Sequence, residues 1–175
     1  MAAIGHACRN GKIEAVVHTV ITPKDTCPAI PRAAELELPL TVVPYGEDYA
    51  QSLVEAFKDV DFVCLAGYLK PVPGCVLDAF PDRVLNIHPS LLPKFGGRGM
   101  YGMHVHSAVI AMGEKESGCT VHLVSEGYDE GRILVQKRCE VLPEDTPETL
   151  AARVLELEHI AYPEAIHQVI HGIQN

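Results

Sequence analysis

Short apolar runs alternate with stretches of helical periodicity along the chain, and that order predicts an α/β fold with a mostly parallel central sheet flanked by helices, Rossmann-like in outline. Ala15 to Ile21, Leu40 to Val43, Phe62 to Ala66 and Val84 to Ile87 read as strands. The last two are the continuous apolar runs expected of strands covered on both faces. Helices are predicted around Pro28 to Leu36 and over Asp48 to Phe57, Gly74 to Phe80 and His104 to Met112. Thr120 to Val124 and Ile133 to Val141 can pair antiparallel across the polar turn Ser125 to Gly131. The closing helix has the clearest start: Thr146 suits the N-cap, Pro147 the first helical position and Glu148 the positive end of the dipole, with helical spacing running to about Ile170.

The start of the chain breaks the pattern. Ala2 to Asn10 already reads as a helix, with Gly11 as its C-cap, and no strand is predicted before it. A βαβ protein ordinarily opens on a strand whose following loop feeds the first helix N-terminus, the usual seat of a phosphate. That element is expected to be missing, within a single domain spanning residues 1–175.

Composition narrows the functional classes. A hydrophobic share of 47% and a charged share of 21% describe a globular chain, not a disordered one. The formal charge of −9 removes the basic excess that nucleic acid or an anionic membrane would require, so neither is an expected partner. Cys8, Cys27, Cys64, Cys75, Cys119 and Cys139 show no C-x-x-C spacing, which favours reduced thiols in a cytoplasmic protein over a zinc site or a disulfide framework. Apolar runs reach only about half of the ~20 residues needed to span a bilayer, so a soluble protein is expected.

Chemistry is expected at the carboxyl ends of the strands, where open α/β sheets collect ligands. Asn86 and His88 stand there, two residues apart on extended backbone and so on one face. A carboxamide offers N–H donors without charge, and an imidazolium adds another, which together suit a developing oxyanion in acyl transfer. Read alone, N-x-H reads first as a turn-capping Asn beside a structural His. Asp129, in Gly127-Tyr-Asp-Glu-Gly131, can reach back to His88, favour its protonated form and pass a proton through water. The same residue also suits an ordinary Asx turn. No metal is expected: His104 and His106 would face different sides of a helix start, and His167 and His171 lack the Glu of H-E-x-x-H. Gly96-Gly-Arg-Gly99 lacks the spacing of a phosphate loop and reads as a mobile loop, with Arg98 a candidate anion contact.

Four blocks in one order carry a resemblance: Asn86-Ile-His-Pro-Ser-Leu-Leu-Pro93, His104 to Val109, Gly118-Cys-Thr-Val-His122 and Tyr128-Asp-Glu-Gly-Arg-Ile-Leu-Val-Gln136. They closely resemble the phosphoribosylglycinamide formyltransferases, and the helix bearing Leu157-Glu-His-Ile-Ala-Tyr-Pro163 agrees. The resemblance implies transfer of the formyl group of the co-substrate 10-formyltetrahydrofolate to the amine of glycinamide ribonucleotide, without a metal, in a monomer or homodimer. Asn86 and His88 would stabilise the oxyanion, and Asp129 would support the charged His88. Tyr68, Leu69, Lys70 and Val72 would lie beside the folate together with Asn86 and Asp129, Lys70 standing where Arg is common. Pro89 and Glu158 would lie on the ribonucleotide side, while His104 and His122 support the site. The family opens with a strand and a Gly-x-Gly-Ser-Asn loop that grips the substrate phosphate, and this chain is read as lacking both. Two rivals remain: formyltetrahydrofolate deformylase, which typically has a second His where Pro89 stands here, and a non-catalytic folate- or nucleotide-binding remnant.

Overall fold

A computed structural model describes residues 1–173. Its helices are α1 (Ala2–Arg9), α2 (Ala29–Glu35), α3 (Tyr49–Ala56), α4 (Gly74–Ala79), α5 (Met103–Ala111) and α6 (Pro147–Ile173). Its strands are β1 (Val20–Thr22), β2 (Leu40–Val42), β3 (Val63–Leu65), β4 (Val84–His88), β5 (Glu116–Leu123) and β6 (Ile133–Glu140). The α/β class and the order of elements follow the expectation. The first strand is much shorter than Ala15 to Ile21, because the residues before Val20 find no ladder partner and exposed Val16 packs on nothing. β5 begins earlier than the periodicity suggested, since Glu116 to Cys119 pair with Lys137 to Glu140 although Glu116 is charged and exposed.

The strands form two sheets. β1 and β2 run parallel to each other, and β3-β4-β5-β6 form the larger sheet in that order. Within it β3 and β4 are parallel, whereas β4–β5 and β5–β6 are antiparallel. Among the described residues no ladder joins β1 to β3, yet Ile21 of β1 and Val63 and Leu65 of β3 pack into one core with α3 and α4. The opposite face of the larger sheet packs on α1, α5 and α6 through Leu85, Val121, Leu150, Val154 and Ile166, all buried. β4 is therefore covered on both faces, which its apolar run anticipated.

α6 starts as expected. Thr149 N–H donates to Thr146 Oγ1 at 3.3 Å, and Thr146 N–H donates to Thr149 Oγ1 at 2.9 Å, a reciprocal cap that satisfies two backbone donors. Further along, the buried Tyr162 hydroxyl lies 2.8 Å from Leu65 O and 3.0 Å from Leu85 O, sharing its proton between β3 and β4. Burial raises its pKa well above the ordinary tyrosine value, so it remains a donor. Tyr162→Phe should keep the packing and leave two buried carbonyls short of a donor. The expected loss is about 1–3 kcal/mol in a urea or thermal melt, and an unchanged midpoint would show that the hydroxyl does not tie the helix to the sheet.

Candidate active site

The carboxyl end of β4 presents Asn86 and His88 where two neighbouring strands can reach them. Val84 joins the α3–α4 core while Leu85 and Ile87 join the opposite one, so alternation sends Asn86 and His88 to the Val84 side, past the end of that core. The antiparallel register then sets His122 of β5 directly opposite Asn86, and Thr120 opposite His88. Facing residues on one side of a sheet touch, and Asn86 Nδ2 lies 3.2 Å from His122 Nε2. His122 Nδ1 lies 2.9 Å from Leu123 O. A carbonyl only accepts, so Nδ1 carries the proton, and Nε2 of the neutral ring accepts from the Asn86 amide.

Asp129 closes the site from the β5–β6 turn. Its carboxylate is 11% exposed, with Oδ2 3.5 Å from His88 Nδ1 and Oδ1 3.6 Å from His122 Nε2. Gly97 N–H donates to Oδ2 at 2.9 Å. Asp129 has a φ of 57°, a conformation that Asp adopts more readily than most residues and that turns its side chain back to the strands. Gly96 permits the approach, because a Cβ there would stand 2.6 Å from a Leu92 methyl and 3.3 Å from Asp129 Cβ. The Gly96–Gly99 segment thus serves the site structurally, by delivering a backbone donor to the carboxylate.

His88 is 4% exposed, and its Nε2 lies 2.7 Å from Phe95 O. By the same reasoning Nε2–H donates to that carbonyl, and the second proton of the imidazolium must sit on Nδ1, facing Asp129. Burial lowers the His88 pKa; the charge of Asp129 and the Phe95 hydrogen bond oppose this, and His122 adds to the lowering. Asp129 thus favours the protonated ring as expected, but the net shift is downward because desolvation outweighs the carboxylate. Burial acts to raise the Asp129 pKa, but His122, the Gly97 N–H and His88 together hold it below the ordinary value. An ionised Asp129 facing the unprotonated Nδ1 of His88 is a place where a proton can be received.

The remaining expected residues divide. Tyr68 and Lys70 follow β3, the parallel neighbour of β4, so they border the same strand ends. The Tyr68 hydroxyl reaches Pro71 O at 3.4 Å, Lys70 Nζ stands 3.7 Å from the Tyr45 ring centre, and Leu69 is 62% exposed. Val72 turns inward against the α3–α4 core, and Pro89 is partly buried beside His88. Glu158, on α6, is partly buried, and burial raises its pKa while the chain's first amino group acts in the opposite direction. His104 stands on the outer side of α5. It is exposed, with its ring 5.2 Å from that of Tyr101, because helical spacing puts Val105, His106 and Val109 on the buried face of α5. His106 is the α5 histidine near His88: it is 4% exposed, its Nδ1 has no partner, and burial followed by His88 lowers its pKa. That helical stripe was a signal in the sequence; the backbone donors and acceptors at Phe95, Gly97 and Leu123 left none.

A cavity of about 400 Å³ opens on Asp129, lined also by Leu92, Gly96, Gly97 and Tyr128. Among the described residues no group of three or more His, Cys, Asp or Glu is placed to hold a metal ion, and no helix is long and apolar enough to cross a membrane.

The model of the formyl transferase family matches residues 1–166. The chain belongs to that family. It is 43% identical over 171 residues to the chloroplastic phosphoribosylglycinamide formyltransferase of Arabidopsis thaliana, covering 93% of this chain and 59% of that protein. It is 34% identical over 178 residues to phosphoribosylglycinamide formyltransferase of Haemophilus influenzae, covering 95% and 79%. The chain thus spans under two thirds of the plant relative and most of the bacterial one. Among solved structures, glycinamide ribonucleotide transformylase 1 of Symbiobacterium toebii superposes with a TM-score of 0.89 at 39% identity, covering 98% of this chain and 82% of that one. A formyltetrahydrofolate deformylase from Pseudomonas syringae shares the fold at a TM-score of 0.84 but only 22% identity, over 95% of this chain and 55% of that one.

The ionisation pattern of this formyl transferase site is testable. With a folded pKa below the ordinary 6.5, His88 favours the folded state above that pH and withdraws the contribution as pH falls through its folded value. Asp129→Asn removes the charge that favours the imidazolium, so the His88 midpoint followed by NMR should move further down. A midpoint that stays or rises would mean that the two groups are not coupled.

Proposed function

We propose that this chain transfers the formyl group of 10-formyltetrahydrofolate to the amine of glycinamide ribonucleotide in purine biosynthesis. The observation that carries the reading is Asp129 held between His88 and His122, with Asn86 opposite His122, at the ligand-collecting end of a formyl transferase fold. The amine nitrogen bonds to the formyl carbon, the bond from that carbon to N10 of the folate breaks, and the proton shed by the amine ends on N10. Asn86 supplies a neutral N–H to the oxygen of the tetrahedral intermediate. His88 Nδ1 and Asp129 take up the proton in transit and release it through water, since Nε2 is engaged with Phe95 O.

Tyr68, Leu69 and Lys70 border the folate in this reading, with Val72 behind them, and the cavity on Asp129 opens to the same co-substrate. Pro89 and Glu158 face the ribonucleotide; the raised pKa of Glu158 suits a carboxyl group meeting ribose hydroxyls rather than a cation. The chain acts as one domain, in the cytoplasm, as a monomer or homodimer.

Release of tetrahydrofolate, assayed with 10-formyltetrahydrofolate in the presence and absence of glycinamide ribonucleotide, tests the reading. Release that depends on the ribonucleotide is expected. Release without it would mean a deformylase, and folate binding without release would mean a non-catalytic remnant. His88→Ala should lower the rate by at least about a hundredfold, and a small effect would remove His88 from the proton path.

A further inference from the structure

Three polar residues stand in a row across the larger sheet. The β4–β5 register sets Thr120 opposite His88, and the β5–β6 register sets Gln136 opposite Thr120, so all three share one face. Thr120 is fully buried, and its hydroxyl is fully used: Oγ1 donates to Ser90 O at 2.6 Å and accepts from Leu92 N–H at 3.1 Å and from Gln136 Nε2 at 3.0 Å. Gln136 Nε2 also donates to Leu92 O at 2.8 Å. Carbonyls only accept and a backbone N–H only donates, so the direction of each of these bonds is fixed.

What the row holds is the chain that leaves β4. Ser90 and Leu92 are tied through their main-chain atoms to β5 and β6. The turn then closes on itself, with Lys94 N–H donating to Leu91 O at 3.1 Å and Ser90 Oγ donating to Lys94 O at 2.6 Å. The next residue is Phe95, whose carbonyl accepts from His88 Nε2, and two residues on, Gly97 N–H reaches Asp129. Phe95 has a φ of 56°, a conformation costly for a bulky side chain that persists where the surrounding structure enforces it.

We propose that Thr120 and Gln136 are positioning residues for His88, holding residues 90–95 so that the Phe95 carbonyl keeps Nε2 engaged and Nδ1 stays directed at Asp129. Both act through the main chain, without touching a substrate. In the proposed formyl transfer, on which the kinetic part of this inference rests, they govern the proton step and not the affinity for either substrate.

Thr120→Val keeps the shape of the side chain and removes the hydroxyl, whereas Thr120→Ser keeps the hydroxyl and removes the methyl. Gln136→Met keeps the length and removes the amide. In Thr120→Val and Gln136→Met the His88 midpoint followed by NMR should move down, because the Phe95 hydrogen bond that favours the imidazolium loosens. The kcat should fall by about tenfold or more with little change in KM. Thr120→Ser should bring both readings back toward those of the unaltered chain. The NMR titration needs no turnover, so absence of formyl transfer would sink the proposed reaction while His88 alone still decides the positioning role; should Thr120→Val fail to fold, Gln136→Met decides it. An unchanged His88 midpoint, or an unchanged kcat in an active chain, would overturn the proposal. So would a Thr120→Ser chain more impaired than Thr120→Val, the result expected if Thr120 serves only to pack its methyl.

Discussion

A carboxylate withdrawn from water between two imidazole rings is the constraint around which this site is arranged. Asp129 keeps its carboxylate at 11% exposure with the Gly97 N–H donating to it and the rings of His88 and His122 against it, which together hold its pKa down against burial. Each partner imposes a requirement on a different element. The Gly97 donor requires the loop after β4 to lie against the β5–β6 turn, which a side chain at position 96 would obstruct. The imidazoles require the β4–β5 register to be the one observed, since a slip of one residue would send Asn86 and His88 to the other face.

The larger sheet fulfils these requirements by changing direction at β4. On one side β4 has a parallel neighbour, so the segment holding Tyr68 and Lys70 emerges at the same end as His88. On the other side its neighbour is antiparallel, so β5 brings His122 back past Asn86 and then leads into the turn that bears Asp129. α6 steadies this junction from below, through the Tyr162 hydroxyl shared between β3 and β4. Asn86, His88 and His122 are thus mounted on strands of the larger sheet, and only Asp129 comes from a turn.

Both histidines have one ring nitrogen committed to a backbone carbonyl, and this restricts what each can do. His122, bonded to Leu123 O, presents Nε2 to Asn86 and to Asp129. His88, bonded to Phe95 O, presents Nδ1 to Asp129. The tautomers follow from acceptors that cannot donate, so a proton arriving at the site has one place on each ring, and both places face the same carboxylate.

Local sequence determined a good deal. Apolar runs marked β3 and β4, and capping residues marked the start of α6, while the grouping of Asn86, His88 and Asp129, with His122 in support, was implied only by the family resemblance. Those features depend on neighbours in the chain, and neighbours are what a sequence records. The early extent of β5 was not legible, because charged Glu116 is drawn into a strand only by its partner across the ladder. The main-chain atoms of Phe95, Gly97 and Leu123 had no signature at all, since every residue carries the same backbone groups. Tertiary structure decided which of those groups meet Asn86, His88 and Asp129, and with them the direction in which the His88 pKa moves, because burial and backbone hydrogen bonds act through space on groups far apart in the chain.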